Sequence, residues 1–294
     1  MDFDLHKHHG LEWRHAPLPE LILGSAIGVL VWELFYVRTV MPRMHQWAEK
    51  QPFYSNLIHR PGYFSRTGQD DITVLFVIAM HHMSSGSLLM LGSFLGVPVL
   101  FELGGLLELG FEIADTFALI RGVWPYEHSR TPFIIRVAFL MHHLPGLFLI
   151  VPVLHMGLYE DPHIRAVCAW LLFAGGVSAL AGSYVHTRDF EKPREMRQAA
   201  LAMLFSSLVF LYARFIVFPM GIYHYTKDLD EAGSFGRVPT VVRALAVPMM
   251  IFGLITVRIN LMKLIKYSAR ALGYNVELYH TSTVQKAGDG KKVQ

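Results

Sequence analysis

The sequence predicts an all-α polytopic membrane protein of about seven transmembrane helices, and three observations carry that reading. Hydrophobic residues make up 53% of the chain and charged residues only 17%, where a soluble domain averages about 25% charge. Apolar runs of the length that crosses a bilayer, about 20 residues, recur between Leu18 and Leu264 and leave no room for a soluble domain. The basic residues also sort by side. Of the 26 lysines and arginines, 19 fall in segments 38–71, 121–136, 186–198 and 258–294, the alternate loops of a seven-span chain. By the positive-inside rule these loops and the C-terminus face the cytosol or matrix, and the N-terminus faces outside or the lumen. An endomembrane or the mitochondrial inner membrane is the expected location.

Residues 1–17 form a polar segment in which Asp2, Asp4 and Glu12 mix with Lys7 and Arg14, unlike a secretory signal or an Arg-rich transit peptide. The first span, 18–40, reads as an uncleaved anchor. The second, 72–92, carries His81, His82 and the hydroxyls of Ser84, Ser85 and Ser87. The third, 97–121, holds four acids, and the fourth, 132–156, holds His142 and His143. The fifth, 164–186, contains the single cysteine, Cys168, which excludes an intrachain disulfide and a thiolate metal cluster. The sixth, 198–220, carries Arg214; the seventh, 239–266, leads into a polar, basic tail at 271–294. Pro42, Pro61, Pro125, Pro162 and Pro193 fall at or between these spans, where a missing N–H costs little. A net charge of +3 that flanks helices rather than forming a stripe excludes nucleic acid as a partner.

The polar residues inside the spans point to a site. A charged side chain at the bilayer centre costs about 2.5–3.5 kcal/mol, so the face shared by Glu108, Glu112 and Asp115 at i, i+4 and i+7 must turn inward. His81, His82, His142 and His143 lie at similar depth, which predicts a buried layer of these histidines, the three acids and Ser85. Glu102 projects from another face, nearer the outer end. Arg214 matches it in depth, and the two are expected to form a separate structural ion pair. The layer has two readings: interhelical hydrogen-bond glue, worth about 0.6–2 kcal/mol per contact, or a working site.

Three features in order carry a resemblance: Ala79-Met80-His81-His82, then Glu112-Ile113-Ala114-Asp115-Thr116-Phe117, then Arg214-Phe215-Ile216-Val217-Phe218-Pro219. Together they resemble the TLC domain, the superfamily of ceramide synthases, the translocating-chain-associated membrane protein and small lipid-regulating proteins. The resemblance covers roughly 70–270 and implies a six-helix bundle around a lipid-accessible cavity, preceded by one helix. In the synthases the region performs acyl transfer from acyl-coenzyme A. Carried over by position, His81 and His82 would be base and acyl acceptor, with Glu112 and Asp115 at the two aspartate positions. Phe111 stands where a third histidine belongs and Glu112 where an aspartate belongs, so the resemblance implies the non-synthase branch.

The resulting expectation is a non-catalytic TLC-type protein that binds phospholipid or sphingolipid in its bundle. Residues 280–294 are polar, Lys-rich and not expected to order alone, which makes other membrane subunits the expected partners. The role is then that of an accessory subunit, in a respiratory or ATP synthase complex for example. Three alternatives stand beside it. A ceramide-synthase-like acyltransferase would work through His81, His82, Glu112 and Asp115. A bis-histidine haem or metal protein would use the four span histidines, although no H-x-x-H-H run occurs in these helices, and neither haem nor metal is expected. An ion or proton pathway would use Arg214, Glu102 and the mid-plane cluster.

Overall fold

In lipid every backbone polar group must be satisfied internally, and among the described residues the chain meets that demand with long helices. The computed structural model describes residues 17–54, 57, 68–122, 133–155, 159, 161–233, 236–274 and 276. Apart from Pro17 and residues 271–274 and 276, the expectations for the polar N-terminal segment and the basic tail lie outside the described residues, as do Pro61 and Pro125. The long helices are α1 (Leu18–Glu49), α2 (Gly68–Leu95), α3 (Pro98–Arg121), α4 (Phe133–His155), α5 (Pro162–His186), α6 (Pro193–Leu211 continuing through Tyr212–Val217 and Phe218–Ala232) and α7 (Val238–Ala271).

Among the described residues five helices, α1, α2, α5, α6 and α7, are long and apolar enough to cross a membrane. The 24-residue α3 has the length, about 36 Å at 1.5 Å per residue, but carries Glu102, Glu108, Glu112, Asp115 and Arg121. Its acids are tolerable only because Glu108, Glu112 and Asp115 are buried against neighbouring helices.

Prolines set several of the starts. Pro98, Pro162 and Pro193 each open a helix at its first turn, where the absent N–H has no partner to lose. For that reason α5 and α6 begin earlier than their apolar runs suggest.

Pro42, which the sequence places between spans, does not interrupt its helix, and neither does Pro219. α1 runs through Pro42 to Glu49, and α6 runs through Pro219 to Ala232. In each case the chain is wound as π-helix just upstream, at Val31–Val40 and at Tyr212–Val217. The wider turn relieves the clash between a proline ring and the preceding carbonyls. Side chains follow the five-residue period: Arg38 donates to Glu33 at 3.0 Å and Thr39 to the Leu34 carbonyl at 2.8 Å.

α2 and α5 are the central pair. Half of the apolar window of α2 (50%) and 56% of that of α5 is buried, against 22% in α1 and α7. Glycines let the backbones meet, as membrane helices require where no hydrophobic force drives them together. A methyl group on Gly86 of α2 would lie 2.8 Å from the Phe173 nitrogen of α5, and one on Gly28 of α1 would lie 2.8 Å from the Leu106 carbonyl of α3. The outer face of α1, with Ile22, Leu23, Ile27 and Leu34, is exposed and apolar.

Candidate functional site

Four helices bring the predicted polar layer together. His81, His82 and Ser85 come from α2, Glu108, Glu112 and Asp115 from α3, His142 and His143 from α4, and Arg214 from the π-wound turn of α6. Glu108, Asp115 and Arg214 keep only 2%, 1% and 2% of their surface, so no solvent screens these charges from one another.

The layer divides into two groups. In the first, the Glu108 carboxylate lies between adjacent imidazoles, with Oε2 2.9 Å from His81 Nε2 and Oε1 3.3 Å from His82 Nδ1. Ser85 Oγ stands 3.4 Å from the same His81 nitrogen. In the second, His143 lies between Glu112 (Nδ1 to Oε2, 3.0 Å) and Asp115 (Nε2 to Oδ2, 3.4 Å). Phe111 separates them, its ring centroid 4.2 Å from that of His81, 5.3 Å from His82 and 6.0 Å from His143. Phe111, one of the two positions at which the sequence differs from the synthase pattern, is thus the partition between the two groups.

A cavity of about 170 Å³ reaches this layer. Its wall includes Leu75, Ile78, Phe139 and Ile255; His82, Asp115, His142, His143 and Arg214 lie at one end, and Asn260 and Lys263 at the other. A second lobe of about 60 Å³ on the other side of the layer is lined by Glu108, Glu112, Leu149 and Cys168. Both lobes touch His82, His142, Gly175 and Arg214, which form the waist between them. His81 lines neither lobe; its ring is held by Phe111 and by the edges of Trp32 and Tyr36, with centroids at 5.6 Å from each of the two.

The expected Glu102–Arg214 pair is corrected. Glu102 accepts a hydrogen bond from the Tyr159 hydroxyl at 2.5 Å, and among the described residues no ion pair joins it to Arg214. Arg214 belongs to the central layer instead. Its guanidinium lies 5.3 Å and 5.7 Å from the ring centroids of Phe210 and Phe252, and Nε and Nη1 have no hydrogen-bond partner. Similar depth fixes a height in the bundle but not an azimuth, and the π turn resets the face that Arg214 presents.

Several site residues escaped sequence reasoning. Phe252 stacks on His142 at 4.5 Å, Asn260 donates to Ser178 at 3.3 Å, and the Tyr36 hydroxyl lies 3.0 Å from Ser84 Oγ. The one available signal was polarity inside an apolar run, which Asn260 and Lys263 carry; the aromatic residues read as ordinary core. Comparison with protein-family models, with curated proteins and with solved structures returns no match.

Proposed function

We propose that the chain crosses the membrane seven times and holds an amphiphilic lipid in its bundle, as a non-catalytic TLC-type protein serving a larger membrane assembly. The observation that carries this reading is the cavity of about 170 Å³, apolar along its wall and ending at His82, His142, His143 and Arg214. That volume is below the roughly 300–1,000 Å³ of a typical ligand pocket, so it suits one end of an amphiphile, with the remainder in the bilayer. Arg270 pairs with Glu191 at 2.9 Å, which keeps the end of α7 and the basic segment after α5 on one side, as the seven-span reading requires.

Lipid mass spectrometry on gently purified protein tests the reading. The wild-type chain retains a bound lipid, and Gly175→Leu, which fills the waist beside the His82 ring, loses it. A wild-type preparation free of bound lipid, or full retention in the variant, sinks the proposal.

A second reading, acyl transfer, is favoured by one observation: His82, His143 and Asp115 line the same cavity, the placement a base and its orienting group need. Against it, His81 is packed away from the cavity. Acyl-coenzyme A turnover that vanishes in His82→Ala would replace the first reading with this one.

A further inference from the structure

Glu108 on α3 faces two histidines that are consecutive on α2, an arrangement that hydrogen bonding leaves half-used. One carboxylate oxygen lies 2.9 Å from His81 Nε2 in hydrogen-bond geometry. The other lies 3.3 Å from His82 Nδ1, yet neither atom makes a hydrogen bond, although both are sealed from solvent. Buried donors and acceptors are nearly always partnered, so two orphans facing each other call for a third body.

A metal ion supplies it. Donor atoms bound at about 2.0–2.2 Å around a tetrahedral ion stand about 3.3–3.6 Å apart, which matches the unbonded pair. One nitrogen from each histidine and one Glu108 oxygen lie within 4.8 Å of one another. The rings are already aimed, since Phe111, Trp32 and Tyr36 pack around His81.

Charge points the same way. Glu108 and Glu112 are buried in this layer, with Arg214 as the fixed cation at the waist among the described residues. A divalent cation beside Glu108 would meet a buried carboxylate that compensates its charge.

We propose that His81, His82 and Glu108 bind a divalent first-row transition-metal ion, with a remaining coordination position open toward the cavity that His82 lines. Two imidazoles and one carboxylate suit zinc or ferrous iron better than magnesium or calcium. The short-spaced histidine run missing from the sequence is replaced by one carboxylate from the neighbouring helix. The inference is independent of the lipid reading: a chain that keeps its lipid and takes up no metal overturns the metal site alone.

The test uses the full chain in lipid nanodiscs, stripped with a chelator and titrated with Zn²⁺, with bound metal counted by inductively coupled plasma mass spectrometry. About one ion per chain is expected, the stoichiometry of a single His₂Glu site. Glu108→Gln, close in shape, should weaken binding at least about tenfold, since even outer-shell changes cost about 10–100-fold, while His45→Ala, a half-exposed histidine paired with Glu49 at the end of α1, leaves it intact. Cobalt loaded into the wild-type chain gives a readout without any variant, its visible bands reporting nitrogen and oxygen ligands. No saturable uptake by the folded wild-type chain, or unchanged uptake in Glu108→Gln, overturns the proposal.

Discussion

Arg214 is the residue on which the site's electrostatics turn. It is buried among Phe210, Phe252 and the waist histidines, and the nearby Glu112 carboxylate attracts its charge. Among the described residues no ion pair holds it, so the carboxylates of the layer compensate it at longer range, and removing a buried compensating charge costs at most about the 3–5 kcal/mol of a broken buried pair. Arg214→Met should therefore lower stability by up to that amount in chemical unfolding from detergent. Arg214→Met with Glu112→Gln should recover most of the loss. If the double variant is as unstable as the single one, Arg214 acts through packing rather than charge. The inward face of Glu108, Glu112 and Asp115 was legible in the sequence, because helical spacing and the cost of charge in lipid leave one answer. The partner of Arg214 was not, because residues 212–217 wind at a different period from the rest of α6 and no propensity marks that change.

At the scale of the element, α5 shows how a buried helix is started at the membrane surface. Asp161 accepts hydrogen bonds from the backbone nitrogens of His163 at 2.6 Å and Ile164 at 3.1 Å, with Pro162 in the first turn. Burial pushes the Asp161 carboxyl above its usual range despite those bonds. The folded state therefore resists its ionisation, and the stability it contributes falls as pH rises from the ordinary carboxylate range through the raised value. Asp161→Ala should cost about 1 kcal/mol, the worth of a cap. Asp161→Asn caps without the charge; it should stay near wild type and flatten the pH dependence of thermal stability. An equal loss in both variants would show that the charge, not the cap, matters. Apolar runs placed the helices, but not the passage of α1 through Pro42, which reads as lying between spans, nor the continuation of α6 to Ala232, since the chain turns polar after Met220.

The whole molecule is ordered around α2 and α5, with α1 and α7 most exposed. The seven-span reading places Lys192 on the basic side. Lys227, near the far end of α6, lies about 50 Å beyond Lys192, the residue that precedes its first turn, at 1.5 Å per residue, more than the roughly 30 Å hydrocarbon core; both side chains are exposed. In a Cys168→Ser background, an impermeant maleimide added to sealed vesicles should label Lys192→Cys and Lys227→Cys from opposite sides. Labelling of both from one side would remove α6 from the spans and break the loop-charge assignment. The two-lobed cavity has a consequence for the membrane as an electrical insulator. Where the lobes meet at His82, His142, Gly175 and Arg214, the chain is thinnest as a barrier to ions. The buried Arg214 side chain and the two imidazoles stand across that constriction, so the hollow interior need not short-circuit the potential across the bilayer.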